Sequence, residues 1–502
     1  MLRKLVLSLL FFIPVSLFAQ VFPKEDSRLN YTLVGFSFPA DKNAKEYKIE
    51  IADSNTADEA VFEKIMKVAA KADSNKIIAE VPYFGTWYTW RYVYEGKGKK
   101  QVKSPLYHFS TAFAKKTDTV ARLKILQKAE AEKDCYVMVE YSGTIYDMKG
   151  NPVWRAPENP FRGGGLSDTK FTPQGTMTFL FNQQGYEINY NGDPLWVMPT
   201  CDSMCKKCPD PYHDEFVKLA NGHYMVMGVE DIWCKLDTLK DSIAIVSSPP
   251  PSKFRRNIKG LGNKNIGTFG TLLEFDEKGE LVWSWKLSDY LLKGDFVNYY
   301  LAMEQPKFVA ADNDFYFDEK TSQIYVGIRN MNRVVKIEYP SGKVIATYGP
   351  TYKMNAPHER SAFFCSQHSL SRVAEGDLVV YNSNTCKTGS KPAVQIVREQ
   401  ESGPGTMKNV WEYSCPVDDT VKVNFGTGGN AYELPDHNIF VCMDSYQYSK
   451  LMIVSRDKKA LWSAVPEYYL PTEKKWETRG LYRGNIISRK DMENMIWKAQ
   501  GK

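Results

Sequence analysis

Apolar and polar positions alternate in short runs over much of the chain, and the runs come in pairs joined at a turn. YEINYNGDPLW (186–196) has close variants in TIYDMKGNPVW (144–154), LEFDEKGELVW (273–283), VKIEYPSGKVI (335–345) and MIVSRDKKALW (452–462), and a looser sixth copy ends at Trp411. A period of two is the side-chain period of a strand, and Asn, Asp and Gly between two such runs signal a hairpin. A second kind of strand–turn–strand element recurs between the hairpins: DTKFTPQGTMTFLF (168–181), HDEFVKLANGHYMVMG (213–228), NDFYFDEKTSQIYVGI (313–328), HSLSRVAEGDLVVYNS (368–383) and GNAYELPDHNIFVCMD (429–444). One element of each kind makes a four-stranded antiparallel sheet. Six such sheets set radially predict an all-β chain with a six-bladed β-propeller over 134–488. The first hairpin lacks a partner of the second kind, and LYRGNIIS (481–488) is the candidate for its missing strand. The Trp residues ending the hairpins, Trp154, Trp196, Trp283, Trp411 and Trp462, are expected to pack between sheets and carry no chemistry.

Residues 21–115 show a different pattern, with strand-like runs such as EYKIEIA and WYTWRYVYE interrupted by one helical stretch, DEAVFEKIMKVAAKAD. This predicts a small N-terminal β-sandwich domain. A polar Ala/Leu/Lys-rich segment predicts a linking helix over 116–133, residues 489–502 form a C-terminal tail, and the Pro-rich basic insertion at 235–267 reads as a long surface loop. Residues 1–19, with Arg3 and Lys4 before an apolar run that ends near Ala19, have the form of a signal peptide, so a periplasmic or secreted protein is expected.

Composition narrows the classes. The 502 residues are 43% hydrophobic and 25% charged, the proportions of a globular protein, and no later apolar run approaches the length of a membrane span. A net charge of +6 suits an anionic small molecule and is too diffuse to indicate nucleic acid. Nine cysteines in an oxidising compartment suggest disulfides, and Cys201, Cys205 and Cys208 read as a disulfide-tied loop rather than a metal centre.

In a propeller the second kind of element supplies the strand beside the central axis, so its opening residues converge. They are Asp168, His213, Asn313, His368 and Asn430. Polar groups aimed at one axis imply a site, because leaving each buried and unpaired costs about 1–3 kcal/mol. Of the six histidines, His213 and His368 hold equivalent positions in the repeat. His108 falls in the first domain, His223 and His437 fall at turn tips expected to be solvated, and His358 lies in a loop.

At these segments the chain resembles the bacterial PAPS-independent arylsulfate sulfotransferases. YHDEFVKLANGH is similar to that family's His-Asp segment, NDFYFDEKTSQIYVGIRNMNRVVKIEYPSGKVIATYG to its block from a His-x-Asn pair to an Arg, and SQHSLSRVAEGDLVVYNSN to the segment bearing its nucleophilic His. The resemblance implies His368 as the transiently sulfated nucleophile, His213 as a sulfate-binding histidine, Asn313 as the Asn of the His-x-Asn pair and Arg329 as the Arg that binds sulfate. The chemistry of sulfuryl transfer gives His213 a catalytic role as proton donor to the leaving phenolate and Asn313 that of a neutral donor to the substrate. The resemblance also implies a phenolic sulfate donor and a phenolic acceptor, with no metal and no cofactor, and leaves a homodimer open. Two positions depart from the pattern: Ala311 stands where the family has the His of its His-x-Asn pair, and Asn330 where a His follows the Arg. The alternative reading is a non-catalytic propeller that binds an anionic or sulfated ligand. A lyase or hydrolase acting on an acidic glycan is a third reading, with thin support from Asp168 and Asp214.

Overall fold

The computed structural model describes residues 21–112, 121–128, 134–161, 165–199, 210–237, 242–247, 266–291, 308–310, 313–349, 364–385, 391–400, 406–417, 428–445 and 447–501. The expected signal peptide, the Cys201–Cys208 cluster, Ala311 and His358 lie outside these residues. The described residues are all-β in character and divide into two compact units, Met1–Phe113 and Ala114–Lys502.

In the first unit the strand Trp87–Glu95 lies between Tyr107–Thr111 and Tyr47–Ala52, and Leu33–Ser37 pairs separately with Lys76–Glu80. Phe36, Ile49, Trp90 and Phe109 are fully buried in its core. The helix expected over 58–73 ends at Ile65. Asp58 caps its start, its Oδ1 accepting the Ala60 N–H at 2.8 Å, but Phe62 is the one residue it buries. Residues Lys67–Ala72 instead satisfy their backbone along Tyr47–Ala52. Ladder pairing outweighs a short helix with a single apolar anchor.

The second unit contains, among the described residues, six sheets, five with four antiparallel strands along the main path and one with five. Sheet I is Cys135–Val139, Thr144–Asp147 and Pro152–Arg155 with Gly484–Ser488 beside the first. Sheet II runs from Ser167–Phe171 to Pro194–Val197, sheet III from Asp210–Lys218 to Leu281–Lys286, and sheet IV from Asp314–Asp318 to Lys343–Tyr348. Sheet V runs from Gln367–Arg372 to Met407–Ser414, and sheet VI from Asn430–Glu433 through Ala460–Leu470 to a fifth strand, Lys475–Thr478. The C-terminal segment does supply the strand missing from sheet I. Among the described residues, the segment expected as a linking helix forms no helix: Ala121–Gln127 is a strand added to Ala460–Leu470, where Leu123 joins the apolar core between sheets VI and I. The expected tail carries a helix, Arg489–Gln500, capped by Ser488 and buried through Met492, Met495 and Ile496. Part of the insertion is also ordered, with Tyr224–Asp237 pairing with Ser242–Ser247.

The repeated hairpins link neighbouring sheets. Trp154 of sheet I donates its indole N–H to the Tyr190 carbonyl in the turn of sheet II at 2.7 Å, and Trp283 of sheet III donates to Pro340 of sheet IV at 2.8 Å. Trp411 of sheet V donates to Arg456 of sheet VI at 2.7 Å, and Trp462 of sheet VI to Met148 of sheet I at 3.2 Å. Trp196 of sheet II stacks on Tyr224 of sheet III at 3.8 Å, and apolar side chains of sheets IV and V share one cluster around Tyr325, Tyr348 and Val380. The turns must therefore hold fixed shapes. Gly192 has φ of +86°, and a Cβ there would meet the Pro157 ring at 2.5 Å.

Replacing Trp154 by Phe removes the donor to a buried carbonyl while keeping an aromatic ring. The expected loss is about 1–3 kcal/mol of stability, read as a lower urea midpoint; an unchanged midpoint would show that the link carries no energy.

Candidate active site

The site is assembled where the end strands of the sheets begin. Asp168, His368 and Asn430 lie at or next to the first residue of their strands and are buried, His213 lies within its strand, and Asn313 directly precedes Asp314. Arg329 opens a short 3-10 turn after Gln323–Ile328. Three of these strand starts share a device. The ladder register shifts between Ser167 and Lys170, between His213 and Phe216, and between Gln367 and Ser369. Asp168, Asp214 and Ser366 have φ of +53°, +59° and +55°. Such bulges re-aim side chains that regular alternation would place elsewhere.

Sequence reasoning missed the residue on which these starts converge. Arg483, just before the closing strand, has a side chain only 5% exposed. Its Nη1 donates to Asp168 Oδ1 at 2.8 Å and to the Glu215 carboxylate, and its Nη2 donates to the carbonyls of Asn313 at 3.3 Å and His368 at 3.2 Å. Its backbone N–H donates to Glu140 Oε2 at 3.2 Å. The next residue, Gly484, exchanges two hydrogen bonds with the Asn430 side chain, at 2.9 and 3.1 Å. Residues of all six sheets thus meet one dipeptide. Lys170 completes the cluster with ion pairs to Asp168 and, at 2.8 Å, Glu215. Glu140, Lys170 and Glu215 were also unforeseen, since no pattern separates them from the other charged residues that flank strands.

His368 is 1% exposed. Its Nδ1 lies 2.8 Å from the Ser366 carbonyl and 3.0 Å from Ser383 Oγ. A carbonyl can only accept, so Nδ1 carries the proton and Nε2 keeps its lone pair. Nε2 is buried and has no hydrogen-bond partner among the described residues. Burial, and next the Arg329 charge, push this imidazole down to about 3, against an opposing pull from Asp214. His368 is a neutral base at physiological pH.

His213 Nδ1 lies 2.9 Å from Asp214 Oδ2, which orients its ring. Burial works to raise Asp214, but His213 and the Arg483 charge hold it below the usual carboxylate range. Burial, and then the Asp168 charge, push Glu140 up to about 8 against two backbone donors, so it is largely protonated at neutral pH. Below the Arg483 layer, along the same strands, lies a cavity of about 400 Å³ whose lining includes Lys170, Tyr316, Ser371 and Tyr432. Of the remaining histidines, His223 is not simply solvated, its Nδ1 lying 2.7 Å from the buried Glu274 carboxylate.

The arrangement offers a neutral nitrogen with a free lone pair in the field of the Arg329 charge, and a second histidine oriented by a carboxylate. That set suits transfer of a group carrying negative charge.

Protonated Glu140 makes a signed prediction. Its folded value, near 8, lies above its unfolded one, so its contribution to stability is complete below the unfolded value and is lost as pH rises through about 8. Glu140→Gln mimics the neutral form permanently. The variant should therefore gain stability relative to wild type between pH 6 and pH 9 in parallel thermal melts; a constant difference would show that Glu140 is ionised throughout.

No curated protein matches the chain. Among solved structures it is similar to a quinonprotein alcohol dehydrogenase-like protein from Bacteroides thetaiotaomicron, at 9% identity and a TM-score of 0.35 over 93% of this chain and 97% of that one. A protein from Lactobacillus plantarum is similar at 8% identity and a TM-score of 0.34, over 89% of this chain and all of that one. At these scores the likenesses carry no argument about function. A family model does: the arylsulfotransferase model matches residues 255–415, the stretch holding Asn313, Arg329 and His368, and this match supports the arylsulfotransferase family for the chain.

Proposed function

We propose that the protein is an exported arylsulfate sulfotransferase that moves a sulfuryl group from a phenolic sulfate to a phenolic acceptor through a sulfohistidine at His368. In this reading the six sheets are the blades of a six-bladed propeller and the first unit is a β-sandwich. The observation that carries the proposal is the buried Nε2 of His368, kept neutral by burial and by the Arg329 charge, within the segment matched by the family model.

The reaction needs no change of oxidation state. His368 Nε2 attacks sulfur, an S–N bond forms and the S–O bond to the aryl group breaks. Arg329 holds the sulfuryl oxygens through its planar fork and Asn313 adds a neutral donor, because their charge is what positioning must stabilise. His213, steadied by Asp214, gives the departing phenolate a proton. The acceptor phenol then loses its proton to His213, its oxygen attacks sulfur, and the S–N bond breaks to restore the neutral imidazole. The rival, an anion-binding protein without chemistry, draws on Ala311, where the family's histidine is missing.

Incubation with an aryl sulfate and quenching in alkali should leave one sulfuryl group on the peptide containing Gln367–Ser369, released on adding a phenol. His368→Ala should abolish both labelling and transfer. His213→Ala should slow transfer by about 10²–10⁴-fold while leaving slow labelling. Full transfer in His368→Ala would exclude the mechanism, and a wild type that binds aryl sulfates without releasing phenol would favour the rival.

A further inference from the structure

We propose that Arg483 is the positioning residue of the His368 site, one guanidinium nitrogen holding the bulged backbone of His368 and the strand entry at Asn313 in place. The catalytic consequence rests on the sulfuryl-transfer reading; the structural claim stands apart from it.

The backbone at His368 lacks the support a regular strand provides. Gln367 pairs with Asn382 and Ser369 with Tyr381, so His368 falls at the register shift and has no ladder partner. Its carbonyl instead accepts a hydrogen bond from Arg483 Nη2 at 3.2 Å. The same nitrogen takes the Asn313 carbonyl at 3.3 Å, one residue before sheet IV begins. A buried carbonyl that loses its donor pulls the backbone towards another partner. At His368 that movement would swing the ring away from the Ser366 carbonyl and Ser383 hydroxyl that fix its tautomer.

The geometry of the guanidinium explains the choice of residue. Nη1 is locked between Asp168 and Glu215, and a planar fork fixed at one nitrogen has no freedom left at the other. A lysine would keep the charge but reach the carboxylates or the carbonyls, not both. Arg483 also adds to the field that disfavours protonation of His368. Its place in the chain adds a consequence. Because it directly precedes Gly484–Ser488, it reaches the site only when that strand has paired with Cys135–Val139, so closing the second unit and aligning His368 are one event.

The test uses the full chain and Arg483→Lys. Amide hydrogen exchange by mass spectrometry should be at least about tenfold faster over 367–369 than in wild type, while 484–488 remains protected. Unchanged exchange at 367–369 would overturn the proposal. Should 484–488 also open, Glu215→Gln takes its place, loosening the fork without removing the Arg483 charge, and the same comparison at 367–369 decides. In the transfer assay kcat should fall about 100-fold with KM nearly constant, the signature of a misplaced reacting group; a wild-type kcat would overturn the positioning role. A wild type that turns over no aryl sulfate would sink the sulfuryl-transfer reading alone, since the exchange measurement needs no substrate.

Discussion

A single buried guanidinium is what the sheets of the second unit have in common. Arg483 is ion-paired to Asp168 and Glu215, bonded to the carbonyls of Asn313 and His368, and followed by a glycine that clasps Asn430. Burying such a group is costly unless its charge is paired. Here two carboxylates face it, and those opposing charges keep it ionised despite burial. The hydrophobic clusters between sheets supply the bulk of the cohesion, but being non-directional they do not set where the strand starts lie. The Arg483 layer does. The Trp links between hairpins and this polar layer at the strand starts constrain the sheets at different places.

The same layer sets the electrostatics of the site. Glu140, Asp168, Asp214 and Glu215 crowd a region whose fixed cations are Lys170, Arg329 and Arg483. One carboxyl, Glu140, resolves the crowding by keeping its proton. His368 resolves it in the other direction by staying neutral, which leaves Nε2 as a lone-pair donor rather than an imidazolium. An isolated histidine would be partly protonated near neutrality. Burial removes that loss, and the burial comes from the convergence of strands that Arg483 ties together.

How much of this was legible in the sequence follows the range of each interaction. Hairpins were readable because alternation and turn chemistry are local, and the closing strand at 481–488 was readable as the missing partner of a counted repeat. The strand openings pointed to Asp168, His213, Asn313, His368 and Asn430 for the same reason. The linking helix was misread: residues 121–127 have helical composition, yet an available edge on Ala460–Leu470 captured them, a contact more than 300 residues away in the chain. The first-unit helix was overextended on similar grounds. Arg483 was invisible because a lone Arg before a short strand looks like a solvated flank. Only the bulges at Asp168, Asp214 and His368, features of backbone register and not of residue type, turn it into a centre.

The central claim is that this convergence delivers His368 as a neutral imidazole with its proton on Nδ1. Protein labelled with ¹⁵N-histidine reports both tautomer and protonation directly, with His368→Gln assigning the signal. The expected result is an Nδ1–H tautomer whose ring shifts stay constant from pH 8 down to about 4, in line with a value pushed down to about 3. Titration near 6.5, or a proton on Nε2, would contradict it.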